Sequence, residues 1–270
     1  MASERTPHEY VFDINQHDLE RNRLIALQDV HDSTTRQLLQ RIGLGSGMTC
    51  GEIGAGEGSI ARYMATVVAP SGRVAALDIN TRFLDAPALP QLEIRRGDII
   101  ADPLESNTYD VIHGRFVLLH VKDMRAALAN LWQALKPGAV VFLEEPDFRT
   151  ALPAAGDAEQ SASIARVNVA VLSMYYSLGI DPALGARLPS LLLGLGCEEV
   201  EVTTDFPLAP GGSAIASMMG MSIRHLRGRL VETGVASDAD IDAYLAATED
   251  AQIWATYYAT VSAWGKKPIT

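Results

Sequence analysis

Cys50-Gly51-Glu52-Ile53-Gly54-Ala55-Gly56-Glu57-Gly58-Ser59 packs four glycines into residues 51–58 and sets an acid on either side of Gly54-Ala55-Gly56. Met48 to Ile53 before it reads as a short strand. Ile60, Tyr63, Met64 and Val67 after it fall at i, i+3, i+4 and i+7, one face of a helix. A glycine turn between a strand and a helix brings bare backbone close to a ligand. Dinucleotide-binding turns read G-x-G-x-x-G and seat a pyrophosphate on the helix N-terminus. Here Ser59 stands where the third such glycine would be, and the turn carries acids where a phosphate would want cations. The ligand expected at this turn is therefore not held by phosphates.

Working outward, Arg73 to Ile79 is a second, almost wholly apolar strand ending at Asp78, 20 residues beyond Gly58. A carboxylate at that strand end can accept from both hydroxyls of a ribose. A third strand, Leu92 to Arg96, leads into Gly97-Asp98-Ile99, where another acid can accept from the exocyclic amine of adenine. Glu52 can receive an ammonium, and the glycine N–H groups a carboxylate. A ribose, an adenine, an amino-acid end and a positive sulfur together describe S-adenosylmethionine, which has no phosphate.

Further along, Tyr109 to His113 reads as a fourth strand and Ala139 to Leu143 as a fifth. A helix lies between them over about 123–135, with Asp123 as its N-cap. Strands alternating with helices, apolar on both faces, predict a parallel sheet wrapped by helices, an α/β fold. Residues 17–42 read as one or two amphipathic helices. After Pro146 the pattern predicts helices over 150–181, 183–194 and 207–248, a strand from Glu198 to Phe206, and a last strand from Gln252 to Trp264.

The chain has 270 residues and a net charge of −11, with no block of lysines or arginines, which argues against a nucleic-acid partner. No unbroken apolar run approaches 18 residues, so no membrane span is expected, and the start MASERTPHEY has no apolar signal core. Cys50 and Cys197 lack CxxC spacing and fit reduced thiols in the cytoplasm.

Five segments in fixed order, GEIGAGEG (51–58), VAALDIN (74–80), RRGDI (95–99), YDVIHGRFVLLHV (109–121) and LKPGAVVFLEEPD (135–147), make the chain resemble the class I S-adenosylmethionine-dependent methyltransferases. Its group of small-molecule enzymes related to ubiquinone and menaquinone biosynthesis is the nearest in look. The resemblance implies a Rossmann-like seven-stranded sheet of order 3-2-1-4-5-7-6, with S-adenosyl-L-methionine bound over the ends of strands 1, 2 and 4 and S-adenosyl-L-homocysteine as product. It implies one domain over 1–270: an N-terminal helical segment (1–43), a cofactor-binding core (44–146), a helical lid over the substrate (147–182 and 207–248) and the rest of the core (183–206 and 249–270). Glu52, Gly54, Ala55 and Gly56 would lie along the methionine part. Asp78, Ile79 and Asn80 would hold the ribose and flank the adenine, and Asp98 and Ile99 would meet the adenine. His113, Gly114 and Arg115, helped by Phe116, would line the sulfonium end. The family usually has aspartate where Glu52 stands, and cysteine or serine where Ala55 stands.

Methyl transfer from a sulfonium is a direct displacement, so the protein supplies mainly alignment and exclusion of water. His120, after the fourth strand, is the first candidate for a base, or else a packing residue. His113 is the second, more naturally a site-lining group. Glu145 and Asp147 are read as rim or solvated carboxylates. No Asp, Asp, Asn set for a metal is found, so no metal is expected. Tyr10, His17, Arg21 and Arg23 are candidates to fold over the cofactor. Met174, Tyr175, Tyr176, Met218, Met219, Met221 and His225 in the insertions point to an apolar or aromatic small-molecule acceptor. A homodimer is compatible with all of this. The competing functions are a non-methylating enzyme of the same fold, such as a cyclase, and a nicotinamide-dependent oxidoreductase.

Overall fold

A computed structural model of the chain describes residues 12, 17–84, 89–155 and 157–269. The elements run α1 (His17–Arg41), β1 (Thr49–Ile53), α2 (Ser59–Val68), β2 (Arg73–Asp78), β3 (Leu92–Arg96), β4 (Tyr109–Arg115), α3 (Met124–Ala134) and β5 (Leu135–Asp147). They continue with β6 (Leu152–Ala155), α4 (Ala158–Ser177), α5 (Leu184–Leu195), β7 (Glu198–Asp205), β8 (Leu208–Pro210), α6 (Ala214–Glu232), α7 (Asp238–Glu249), β9 (Trp254–Thr256) and β10 (Ala259–Lys266).

The main sheet has seven strands in the order β3-β2-β1-β4-β5-β10-β7. Numbered within that sheet, this is the expected 3-2-1-4-5-7-6. The first five strands are parallel, and β10 lies antiparallel between β5 and β7. Because side chains alternate across a strand, each inner strand feeds two cores. Val74, Ala76, Val111, Val140 and Phe142 pack with Leu38 and Leu39 of α1 and with Ile60, Met64 and Val68 of α2. Ala75, Leu77, Ile112, Val141 and Leu143 face the other way, into the core that contains Leu128 and Leu131 of α3 and Leu184, Leu188 and Leu192 of α5. Double-sided burial is what made these strands read as unbroken apolar runs.

Two expectations are corrected, and one alternative is decided. Of the one or two helices read over 17–42, the chain forms one, His17–Arg41. The segments read as wholly helical begin with short strands, β6 and β8, which flank β9 in a separate three-stranded sheet. Pro153 and Pro210 sit on its two edge strands, where a missing N–H does no harm, and strands this short carry no periodicity to read. The run from Gln252 to Trp264 is two strands. Trp254–Thr256 pairs within the small sheet and Ala259–Lys266 enters the large one, so Tyr257 and Tyr258 mark the crossing point. Cys50 and Cys197 are free and buried. Among the described residues no helix is long and apolar enough to cross a membrane.

Candidate functional site

The chain folds back at the tip of β1 in a turn that only glycine accommodates easily. Gly54 has φ +62°, and a Cβ there would stand 2.2 Å from Cγ2 of Val117. Gly56 has φ +57° and faces open space, with Leu24 Cδ2 at 3.8 Å from a built Cβ. The backbone amides of this turn are largely occupied. Gly54 N donates to Leu77 O at 2.8 Å, and Gly58 N to Ala55 O at 2.7 Å. Gly56 N donates to Oδ2 of Asp78 at 2.8 Å. Ala55 N, 3.4 Å from Leu77 O, is more loosely engaged. With the amides of Gly54, Gly56 and Gly58 donated within the chain, what the turn offers is chiefly close backbone approach.

Asp78 braces that turn from the tip of β2. Its Oδ1 also accepts from Asn80 N at 2.8 Å, so both carboxylate oxygens hold backbone while keeping lone pairs for a further partner. Burial raises its pKa, and the two backbone hydrogen bonds oppose that. Asp98, exposed at the tip of β3, accepts from Ile100 N at 2.8 Å in a tight turn. Glu52 is buried on β1; its Oε2 has no hydrogen-bond partner, and its Oε1 lies 3.8 Å from Nδ1 of His113.

These tips border one cavity of about 480 Å³. Glu52, Gly54, Ala55, Gly56, Asp78, Ile79, Asn80, Asp98, Ile99, Arg115 and His120 all reach its wall. His113 and Gly114 do not. His113 is fully buried beneath the wall, its Nε2 3.1 Å from Oε2 of Glu144. Burial works against its charged form, but the hydrogen bond to Glu144 and the nearby carboxylate of Glu52 outweigh it and its pKa is raised. Glu144 would likewise be raised by burial, yet His113, Arg115 and the hydroxyl of Thr35 bring it down to about 2. Gly114 is glycine for packing: a Cβ there would stand 2.6 Å from Cγ1 of Ile53 on the neighbouring strand. Arg115 lies on the wall, but its guanidinium is turned to α1, donating to Oγ1 of Thr35 and Oδ1 of Asp32, each at 2.8 Å.

The segment after β4 is held by Glu145, which is neither solvated nor at the rim. Its Oε1 accepts from Val117 N at 3.0 Å and Leu118 N at 2.7 Å, and burial lifts its pKa to about 8. Asp147 is buried too and pairs with Arg149 at 2.7 Å. Just before the held amides, Phe116 adopts φ 57°, a sparsely populated conformation for a side chain of its size. His120 follows on the wall. Burial, helped by Arg23, lowers its pKa to about 4, against the opposing effect of Glu20.

The rest of the wall comes from elements the motifs do not touch. From α1 come Leu24, Leu27 and the buried pair Glu20–Arg23, whose Nη2 and Oε1 are 2.8 Å apart. Phe12 lies under the Arg23 guanidinium, 3.8 Å from ring centroid to Cζ. Arg21 pairs with Glu57 at 2.6 Å. Tyr10 and the His17 side chain lie outside the described residues. Of the methionines and tyrosines singled out in the insertions, Tyr175, Met218 and Met219 reach the cavity. Met174 is buried in the core, and Tyr176 is exposed. Phe148 and Tyr258, which no motif marked, complete an aromatic wall with Phe116 and Tyr175. Phe148 stacks on Tyr175 at 5.2 Å and meets Tyr258 at 5.3 Å, and Phe116 meets Tyr258 at 5.9 Å. The Tyr257-Tyr258 pair, inside what read as one long strand, was the available signal. Among the described residues no group of three or more His, Cys, Asp or Glu side chains is placed to hold a metal ion.

Residues 51–143 match a family described as a methyltransferase domain. The chain is similar to a demethylmenaquinone methyltransferase of Oceanobacillus iheyensis, 27% identical over 46% of this chain and 55% of that one. It is similar to methyltransferase str2 of Strobilurus tenacellus, 26% identical over 85% of this chain and 82% of that one. The chain thus spans about half the length of the first of these relatives and most of the second. Among solved structures it resembles phosphoethanolamine N-methyltransferase 2 of Haemonchus contortus in complex with S-adenosyl-L-methionine. The TM-score there is 0.53 at 17% identity, covering 87% of this chain and 52% of that one.

Proposed function

We infer that this chain is a class I S-adenosylmethionine-dependent methyltransferase, a reading its matches support, and that it transfers the methyl group of that cofactor to a small, mostly apolar or aromatic acceptor. The observation that carries the reading is one wall of one cavity: two carboxylates, Glu52 and Asp78, flank a turn stripped of side chains at Gly54 and Gly56. Such a wall suits a cationic, phosphate-free nucleoside and repels a pyrophosphate, which argues against a nicotinamide cofactor.

The residues fit the cofactor. The buried, unpartnered Oε2 of Glu52 is an acceptor waiting for a donor, as an ammonium would supply. Asp78 keeps lone pairs on both oxygens for two ribose hydroxyls, with Ile79 and Asn80 beside it, and Asp98 and Ile99, on the same cavity wall, would meet the adenine. When bound, the cofactor supplies an activated methyl group on a sulfonium. The chain's own part is to hold donor and acceptor in line and to keep water out. His120, held neutral above about pH 4, can accept a hydrogen bond or a proton from the acceptor, with modest driving force. His113, sealed between two carboxylates, serves to neutralise the floor under Glu52.

The acceptor side is read from the opposite wall, where Met218, Met219, Ile223, Leu226 and Val171 stand beside the aromatic cluster. Demethylmenaquinone, named for one relative, is an apolar ring compound of the sort such a wall would suit. The helices α4, α6 and α7 then act as a lid with α1. Calorimetric titration tests the donor side: S-adenosylhomocysteine should bind and NAD should not. Binding of NAD alone, or of neither, would overturn the reading.

A further inference from the structure

Tyr258 lies on the cavity wall at the crossing between the two sheets, with its hydroxyl 2.7 Å from Nε2 of His31 on α1. His31 is buried and stands edge-on to Phe116, ring centroids 5.1 Å apart. Arg23, Arg115 and Tyr175, all on the same wall, are the titratable groups whose charges reach this hydroxyl from within the cavity, and Asp205 reaches it from β7. Burial and the nearby Arg115 hold His31 neutral, its pKa down at about 3. Burial keeps the Tyr258 phenol protonated. Between a phenol and a neutral imidazole the phenol is the stronger acid and the imidazole nitrogen the stronger base. The proton of this hydrogen bond therefore belongs to the phenol, and Tyr258 donates to His31.

A phenol has one proton and two lone pairs. With the proton spent on His31, the oxygen has only lone pairs left to offer. We propose that Tyr258, oriented by His31, is the hydrogen-bond acceptor for the methyl-receiving group, so that the acceptor is a neutral flat ring bearing an O–H or N–H. This deepens the methyl-transfer reading and rests on it. Phe116, Phe148 and Tyr175 supply the faces for the ring; His31 and Tyr258 are neutral, and the two arginines of the wall are already paired, Arg23 with Glu20 and Arg115 with Asp32, so an anionic acceptor is not favoured here. His31 is a positioning residue, since it acts through Tyr258.

The test uses 2-naphthol and its methyl ether, two rings that differ in a single donor, bound to the full-length protein with and without S-adenosylhomocysteine. Wild type should prefer the naphthol. Tyr258→Phe, which keeps the ring, should weaken naphthol binding about five- to tenfold, the size of one hydrogen bond, and leave the ether within about twofold. His31→Leu frees the phenol proton and should narrow the preference by improving the ether, an effect that mere loss of packing would not produce. Equal affinities of wild type for the two probes, or an unchanged preference in Tyr258→Phe, would overturn the proposal. A failed titration with S-adenosylhomocysteine would count against the methyl-transfer reading instead, and the naphthol comparison stays readable without it.

Discussion

Asp78 braces backbone and has a proposed second role toward the ribose, and substitutions separate the two. Its carboxylate holds the glycine turn through Gly56 N and its own loop through Asn80 N, and the proposed ribose contact uses what remains. Asp78→Asn keeps one oxygen for backbone but offers the ribose a poorer acceptor. That variant's affinity for S-adenosylhomocysteine should fall about tenfold, roughly 1.4 kcal/mol, and its melting temperature should drop less than that of the alanine variant, because one of the two backbone hydrogen bonds is kept. Asp78→Ala should lose more than tenfold and also lower the melting temperature, because the turn loses its brace. Calorimetry and thermal melts together read both, and unchanged affinity in the alanine variant would remove the ribose role. Gly54→Ala probes the turn itself. Its Cβ would collide with Val117 while the backbone already sits at φ +62°, so the segment after β4 must shift. Binding should be lost even at saturating ligand, while the far-ultraviolet circular dichroism of the sheet is kept.

At the scale of elements, α1 closes the cavity because several side chains tie it to strand tips. Arg115 reaches Thr35 and Asp32, Thr35 donates to Glu144 at 2.6 Å, and Arg21 meets Glu57. Thr35→Val keeps the shape and deletes the hydroxyl that serves both Arg115 and Glu144. It should cost about 1–3 kcal/mol and speed hydrogen exchange in α1 more than in β1. Equal protection of α1 in variant and wild type would show that the strap does not depend on this hydroxyl. None of these ties was legible in the sequence, because each joins residues far apart in the chain; Thr35 and Glu144 are separated by 109 positions. What was legible was local. The glycine turn, the acids at the tips of β1, β2 and β3, and the doubly apolar strands all show in short windows, and they gave a parallel sheet wrapped by helices and most of one cavity wall; the strand order came from the resemblance to the methyltransferases. Period and spacing could not reveal that His113 faces inward toward two glutamates, nor that Tyr258 lies at a crossing between sheets, since both depend on which strands become neighbours.

Across the whole molecule, buried titratable groups set a pH window. His31 and His120 are held neutral, with pKa values near 3 and 4. Their contribution to stability is complete above the unfolded value of about 6.5 and is lost as pH falls toward those folded values. Glu144, lowered from 4.5 to about 2, adds to the loss as pH falls from about 4.5 toward 2. Two groups act in the opposite sense. His113 has a raised pKa, so its contribution is complete below about 6.5 and fades as pH climbs through its folded value. Glu145, raised from 4.5 to about 8, favours the folded state fully only below its unfolded pKa, and the advantage shrinks until pH passes about 8. The melting temperature should therefore fall on both sides of a maximum at mildly acid to neutral pH. Glu145→Gln imitates the protonated acid: its oxygen can still accept from Val117 N and Leu118 N, and it cannot ionise. That variant should match wild type near pH 5 and lose stability less steeply between pH 6 and 9, leaving His113 as the main alkaline contribution. Identical alkaline slopes in the two proteins would mean that Glu145 is already ionised in the folded state, held by the amides after β4 rather than by a proton.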